Sequence, residues 1–222
     1  MKTYLVLGAG PGIGLATAEQ FAAHGYRIVL ASRSEARLEG AIRSLRESGV
    51  DVVFESADAS NPVAVQQLIQ RHENDLEVLH YNAGVLHYDA SGTVLTRPLD
   101  AETAASLTHD ANVNLVSALA AVQAAKQVLS LRGGGTILLT GGGFGIEPSP
   151  DFINISVAKA GLRAAAKALF EPLRAHNIHL ATVTVCTFVS PETNKPKEIA
   201  EAFWTLHEQT DAKSWEWEKI VT

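Results

Sequence analysis

Short apolar segments alternate with longer amphipathic segments along nearly the whole chain, and this alternation constrains the fold more than any other feature. The apolar segments are rich in Val, Ile and Leu and alternate only weakly, which is typical of strands covered on both faces. They predict strands at 4–7, 27–31, 51–55, 78–81, 136–140, 179–185 and 219–221. Helices are predicted at 13–24, 34–48, 62–73, 101–131, 155–176 and 197–209. The expected fold is therefore α/β, doubly wound and three-layered (α/β/α), with a mostly parallel sheet of six or seven strands.

The charge and the cysteine content exclude several classes of protein. The 222 residues include 24 acidic and 18 basic side chains, for a net charge of −6, which argues against nucleic acid or an anionic membrane as partner. Cys186 is the only cysteine, so an internal disulfide is excluded. No apolar run approaches the length of a membrane span, and no His spacing suggests a metal site. We expect a cytoplasmic protein with one domain over 1–222, in which 190–222 form a variable C-terminal segment near the substrate.

A glycine-rich turn lies between the first predicted strand and the first predicted helix. Residues 7–14 read Leu-Gly-Ala-Gly-Pro-Gly-Ile-Gly. A helix start offers unpaired N–H groups and the positive end of its dipole, and glycine lets a diphosphate approach the backbone. We therefore expect a Rossmann-type dinucleotide site, with a merely tight turn as the alternative. The residues expected to bind the diphosphate are Gly8, Gly10, Pro11, Gly12, Ile13 and Gly14.

The end of the second strand indicates which dinucleotide is bound. An NAD site usually has a carboxylate there, which accepts hydrogen bonds from the ribose hydroxyls. This chain instead has Ser32 and Arg33, and a guanidinium can pair with a 2′-phosphate. NADP(H) is therefore predicted in preference to NAD(H), the alternative being a solvated Arg33.

These residues and several further ones resemble the short-chain dehydrogenase/reductase family over roughly residues 3–190. Gly8, Gly12 and Gly14 match its turn motif, although Leu7 replaces the usual Thr. The resemblance implies that the pair after the third strand contacts adenine and that the motif closing the fourth strand lies beside the adenosine ribose. The positions concerned are Asp58 and Ala59 for the first, and Asn82, Ala83 and Gly84 for the second.

The same resemblance assigns roles on the nicotinamide side. It implies that Asn114 anchors a proton-relay water and that Lys159 binds the nicotinamide ribose. Val189 is expected to bond the carboxamide, and Thr193 to make the following loop contact. Other interpretations stay open, because Asn114 also fits a satisfied buried amide, Lys159 a solvated helix residue, and Asp58 a helix cap with Ser60.

The proton-transfer half of the family pattern is not found at its usual places. The family has a Tyr four residues before the Lys, where the ammonium lowers the phenol pKa, but this chain has Ile155. The family Ser aligns with Gly142 or a neighbour, and Thr140 is expected inside the strand. His87 or Tyr88, in the loop after the fourth strand, could donate the proton instead, and Tyr88 is the candidate catalytic residue beside Asn114 and Lys159.

Two functions follow from this combination. One is an NADP(H)-dependent oxidoreductase with a non-standard proton donor and an unknown small-molecule substrate. The other is a catalytically inactive NADP(H)-binding sensor or interaction protein. The helices at 111–129 and 156–173 carry Ala on several faces, which favours close packing on two sides. The family resemblance implies a homodimer or homotetramer through this helix pair.

Overall fold

The computed structural model describes residues 1–90 and 93–222, which form seven strands and seven α-helices in alternating order. The strands are β1 (Thr3–Leu7), β2 (Arg27–Ser32), β3 (Val52–Ser56), β4 (Leu76–Tyr81), β5 (Gly135–Thr140), β6 (Ile178–Val185) and β7 (Glu218–Val221). The helices are α1 (Ile13–Ala23), α2 (Glu39–Glu47), α3 (Pro62–Arg71), α4 (Ala104–Ala111), α5 (Ser117–Leu131), α6 (Ile153–Arg174) and α7 (Lys195–His207). A π-helical turn, Asn112–Val116, joins α4 to α5.

The seven strands form one parallel sheet in the order β3-β2-β1-β4-β5-β6-β7. The predicted fold class is confirmed, with seven strands and every described pairing parallel. The strand order reverses between β1 and β4, and doubly wound sheets bind ligands at the carboxyl ends of the strands flanking such a reversal. The glycine turn and the Asn82 motif follow these two strands directly.

Two apolar cores cover the two faces of the sheet. Helices α3, α5 and α6 pack on one face, where Leu68, Ala121 and Leu162 are buried. Helices α1, α2 and α7 pack on the other face, around Phe21 and Phe203. Within the described ranges, no helix is both long and apolar enough to cross a membrane.

Residues after 190 are joined to the same sheet. Helix α7 packs against the core beside α1, and β7 pairs in parallel with β6 at the sheet edge. Arg163 on α6 donates two hydrogen bonds of 2.7 Å to the two carboxylate oxygens of Glu218, and Thr184 Oγ1 donates a third. Bidentate Arg–carboxylate pairs are geometrically specific, so this contact fixes the last strand against α6.

Two predicted helices differ from the structure. The helix predicted at 34–48 begins only at Glu39, because the preceding residues form a turn in which Leu38 N–H bonds the Glu35 carbonyl. Leu38 is buried in the core, so the residues before it must lead the chain from the exposed end of β2 to the core before α2 can begin. The single helix predicted at 101–131 is divided into α4, the π-helical turn and α5, and it begins at Ala104.

Candidate functional site

The glycine turn combines two glycines that packing requires with two, Gly10 and Gly12, that face open space. Gly8 has φ +85°, and a Cβ there would lie 2.4 Å from the backbone of Ala83. A Cβ on Gly14 would lie 3.0 Å from Asn82 Nδ2. Nothing lies within 4 Å of a Cβ built on Gly10. The turn is thus packed tightly against the end of β4 and open toward solvent, which leaves a backbone cradle for a ligand.

The first turn of α1 has unused hydrogen-bond donors. Its N-cap is Gly12, which offers no side-chain acceptor, and no acidic residue lies in the first turn. Among the residues that the structure describes, the N–H groups of Gly12, Ile13 and Gly14 have no acceptor. The dipole of α1 adds positive potential at the same point. This arrangement fits the diphosphate of a dinucleotide.

A chain of buried hydrogen bonds connects the sheet to the glycine turn. Tyr4 Oη lies 2.6 Å from His80 Nδ1, and His80 Nε2 lies 2.9 Å from Thr140 Oγ1. Thr140 Oγ1 donates to Asn82 Oδ1 over 2.8 Å, and Asn82 Nδ2 donates to the Gly8 carbonyl over 2.8 Å. The structure therefore gives Asn82 a positioning role under the turn.

The direction of these hydrogen bonds follows from their last member. Asn82 must use its amide nitrogen on the Gly8 carbonyl, so its oxygen accepts from the Thr140 hydroxyl, which in turn accepts from His80 Nε2–H. Burial lowers the pKa of His80 to about 3, with a smaller contribution from the Lys159 charge. The ring is therefore neutral at pH 7, and its Nδ1 accepts from the Tyr4 hydroxyl.

The residues expected to contact the adenosine lie at the ends of β2 and β3. Arg33 is exposed and makes no ion pair with any described residue, while Ser32 Oγ donates to the Ser34 carbonyl. Asp58 Oδ1 accepts from Ser60 N–H, a bond that lowers the pKa of the carboxyl. The cap of α3 is Asn61, so Asp58 is not the helix cap. Arg33 lowers this pKa further, so the two charges lie close together.

Lys159 on α6 points back to the end of β5. Its Nζ donates a 2.6 Å hydrogen bond to the Thr140 carbonyl. Burial lowers the pKa of Lys159 to about 8. A Cβ on Gly142 would lie 3.4 Å from Lys159 Cγ, so position 142 packs directly on the lysine side chain. Thr140 is the last residue of β5, as predicted.

Asn114 lies in the π-helical turn, which the sequence pattern did not indicate. Its Oδ1 accepts from Val85 N–H over 2.7 Å, and its buried Nδ2 has no partner in the described part of the chain. A Cβ on Gly84 would lie 3.5 Å from the same oxygen. Single π turns within α-helices are frequent at functional sites. The unpaired amide fits a buried ligand or water at this point.

A small cleft lies beside Ile155, the position at which the family resemblance led us to expect a Tyr. It is lined by Val85, Leu86, His87, Leu95, Arg97, Glu102, Asp110, Phe152, Asn154 and Ile155. Tyr88 does not line this cleft, and its side chain is 54% exposed. Its catalytic role stays a prediction.

Charged and polar groups in this cleft form a network. His87 Nε2 lies 2.8 Å from Asp110 Oδ2, which also accepts from Asn154 Nδ2 over 3.0 Å. Arg97 Nη1 lies 3.0 Å from the same His87 nitrogen, and Arg97 Nη2 donates to Glu102 Oε2 over 3.0 Å. Sequence reasoning found only His87. The sequence feature that could have identified Asp110 is its position one helical turn before Asn114, in an Ala-rich helical segment.

The loop after β6 places the two remaining expected residues. Val189 is partly buried and packs against the core near α7. Thr193 is exposed, and its Oγ1 donates to the Ser190 carbonyl. Across 1–90 and 93–222, no group of three His, Cys, Asp or Glu side chains could hold a metal ion.

Comparison with known proteins supplies the family. Residues 2–201 match the family described as short chain dehydrogenase. The chain belongs to this family. An uncharacterized oxidoreductase of Thermotoga maritima is 27% identical over 186 residues, which cover 82% of this chain and 70% of that protein.

Solved structures of short-chain dehydrogenases have the same fold. One from Rhodopseudomonas palustris superposes with a TM-score of 0.88 at 24% identity, covering 100% of this chain and 98% of that one. A metagenomic short-chain oxidoreductase in complex with NADP gives a TM-score of 0.86 at 23% identity, covering 99% and 96%. Short-chain dehydrogenases bind nicotinamide cofactors, and the glycine turn lies where a doubly wound sheet binds its ligand.

Proposed function

We propose that this chain is an NADP(H)-dependent oxidoreductase with a non-standard proton-transfer site. The observation that carries the proposal is the open glycine cradle, in which Gly10 faces free space and three amides at the start of α1 have no described acceptor. Such a cradle binds a diphosphate through backbone N–H groups and the helix dipole. Bound reduced nicotinamide supplies a hydride, which is the chemistry expected of a member of this family.

The preference for NADP(H) is supported by the ends of β2 and β3. Arg33 is exposed and has no ion-pair partner in the described ranges, so its guanidinium is available to a 2′-phosphate. Ser32, Asp58 and Ala59 complete the set of residues that we propose to contact the adenosine. The solved relative in complex with NADP agrees with this preference.

We propose that Lys159 and Asn114 hold the nicotinamide side, together with Val189 and Thr193. The ammonium group of Lys159 is partly buried and donates a hydrogen bond to the Thr140 carbonyl. Burying this charge costs desolvation free energy that a purely structural role would not require, which supports a functional role. Asn114 presents an unpaired buried amide in the π-helical turn. Both groups can donate hydrogen bonds to ribose or water.

The proton-transfer half is proposed to be non-standard because of Ile155 and Gly142. Ile155 is buried and has no proton to give, and Gly142 has no hydroxyl to hold a substrate oxygen. The same two residues favour the second candidate function, a sensor or interaction protein that binds NADP(H) without turnover. The charged network in the cleft favours the enzyme, since a sensor does not need it.

We further propose that residues 1–222 act as one cytoplasmic domain that assembles as a homodimer or homotetramer. The helices at 111–129 and 156–173 expose Val116, Leu119 and Val157, which suits a protein contact. Residues 190–222 would form the variable segment next to the substrate.

One experiment separates the two functions. NADPH and NADH binding are measured by fluorescence, and NADPH oxidation is then followed against a panel of aldehydes, ketones and quinones. Tight NADPH binding with turnover above background supports the oxidoreductase. Tight binding without turnover supports the sensor, and failure to bind either dinucleotide refutes both.

A further inference from the structure

The cleft beside Ile155 contains His87, which is buried on one side and exposed to solvent on the other. His87 lies in the loop after β4 with its side chain 33% exposed, whereas the Asp110 side chain facing it is only 2% exposed. The imidazole therefore has one side held by a buried carboxylate and another side that reaches solvent. His87 Nδ1 has no partner among the residues described, so this nitrogen is available to a ligand.

The buried carboxylate is itself held in place. Asp110 lies in the last turn of α4, shortly before the π-helical turn, and its Oδ2 accepts from both His87 and Asn154. Asn154 lies on α6, next to Ile155, so the carboxylate connects the loop to the helix that carries Lys159. Asp110 Oδ1 is buried with no hydrogen-bond partner in the described structure, which leaves one acceptor open inside the cleft.

Arg97 and Asp110 favour opposite tautomers of His87. A guanidinium only donates hydrogen bonds, so Arg97 Nη1 can bond His87 Nε2 only when that nitrogen carries no proton. The lone pair would then face the Asp110 carboxylate at 2.8 Å, which is repulsive. A proton on Nε2 turns the Asp110 contact into a charge-assisted hydrogen bond and gives up the one from Arg97 Nη1, whose charge is met by Glu102 instead. The favoured arrangement is therefore Nε2–H donating to Asp110.

We propose that His87, oriented by Asp110, gives the substrate oxygen its proton in place of the family's Tyr. This inference rests on the proposed oxidoreductase function. His87 would be the catalytic residue, since it touches the substrate, and Asp110 a positioning residue. The pairing of a carboxylate with one imidazole nitrogen, which leaves the other to transfer protons, is a general device of acid–base catalysis.

In carbonyl reduction, His87 would act from its imidazolium form, which carries a proton on each ring nitrogen. Bound reduced nicotinamide would supply a hydride, two electrons and one hydrogen nucleus, to the carbonyl carbon, and the C=O π bond would break. The oxygen would take the proton from His87 Nδ1 and become a hydroxyl. The imidazole would be left neutral, with Nε2–H still donating to Asp110, and would regain a proton from solvent through its exposed side.

The test compares six purified proteins that span residues 1–222: wild type, His87→Gln, His87→Gly, Asp110→Asn, Tyr88→Phe and the control His176→Gln, which changes an exposed histidine. NADPH affinity is measured by fluorescence and carbonyl reduction by single turnover. We expect His87→Gln to lower kcat by about 10²–10⁴-fold while the NADPH dissociation constant stays within about twofold of wild type. Asp110→Asn should lower kcat with little change in KM.

Two further readouts separate catalysis from structure. In ¹⁵N NMR of the free protein, the His87 ring should show a protonated Nε2 in wild type and lose this tautomer preference in Asp110→Asn. Added imidazole should restore part of the turnover of His87→Gly, which a folding defect would not allow.

The outcomes distinguish this inference from the function on which it rests. A wild-type protein that reduces no carbonyl refutes the oxidoreductase proposal and this inference with it. Wild-type turnover that persists in His87→Gln refutes only the role of His87, and a loss confined to Tyr88→Phe transfers that role to Tyr88. An unprotonated Nε2 in wild type overturns the Asp110 pairing.

Discussion

Replacing Lys159 by Met is expected to make the free protein more stable at pH 7. Burial lowers the pKa of Lys159 to about 8, whereas the ordinary value for a lysine is 10.5. Since the unfolded chain binds the proton more tightly, the charged lysine destabilises the fold at every pH below about 8. That penalty shrinks as the pH rises from about 8 to 10.5, because the folded protein has then already lost the proton.

The magnitude follows from the same two values. The difference between 8 and 10.5, at about 1.4 kcal/mol per pH unit, gives an upper limit of roughly 3 kcal/mol for the penalty at pH 7. Met fills a similar volume but loses the Nζ hydrogen bond to the Thr140 carbonyl, which contributes about 1 kcal/mol. The net gain for Lys159→Met is therefore about 2 kcal/mol at pH 7, and it falls to zero at about pH 10, where the remaining penalty equals the free energy of the lost hydrogen bond.

Urea unfolding at pH 7, 8.5 and 10 measures this effect, with Lys126→Met as control. Lys126 is exposed on α5, so its replacement should change the unfolding free energy little at any of these pH values. The same Lys159→Met protein should bind NADPH more weakly, so that stability and cofactor affinity change in opposite directions. Equal or lower stability than wild type at pH 7 would refute the reasoning.

Four other substitutions test the cofactor site and its support. Arg33→Ala should weaken NADPH binding by roughly 1–3 kcal/mol and leave NADH nearly unchanged in calorimetry, and equal losses would refute the 2′-phosphate contact. Gly8→Ala should unfold at much lower urea, because its Cβ would lie 2.4 Å from the Ala83 backbone at φ +85°. Gly10→Ala, whose Cβ meets nothing, should melt like wild type yet bind NADPH more weakly; a melting temperature as low as that of Gly8→Ala would contradict this. His80→Leu should cost about 2–4 kcal/mol in urea unfolding, since it leaves the buried Tyr4 hydroxyl without its acceptor and Thr140 Oγ1 without the donor that His80 supplies, and a stable variant would show that water replaces the ring.

Local sequence patterns were sufficient for the fold. All seven strands were predicted to within two residues at each end, because buried parallel strands are short, continuous apolar runs that need no long-range information. The glycine turn was also recognisable, since its residues are adjacent in the chain. These features meet at the reversal of strand order, which follows from the alternation itself.

Long-range polar contacts could not be predicted from the sequence. His80 pairs with Tyr4 across 76 positions, and which side chains meet there depends on the register of β1 against β4, which weakly alternating strands do not specify. Asp110 and His87 are brought together only by the course of the loop and α4. The π-helical turn was missed because helical periodicity does not distinguish one inserted residue.

The hydrogen-bond chain from Tyr4 to Gly8 has a consequence for how this site can change. Each of His80, Thr140 and Asn82 uses its donor on one neighbour and its acceptor on the other, so the chain has a single direction. Exchanging one member for a residue of different polarity leaves two buried groups unsatisfied, whereas exchanging several together need not. Substitutions at His80, Thr140 and Asn82 are therefore expected to depend on one another. A single substitution destabilises the support of the glycine turn, and a second one of matching polarity can restore the lost hydrogen bonds.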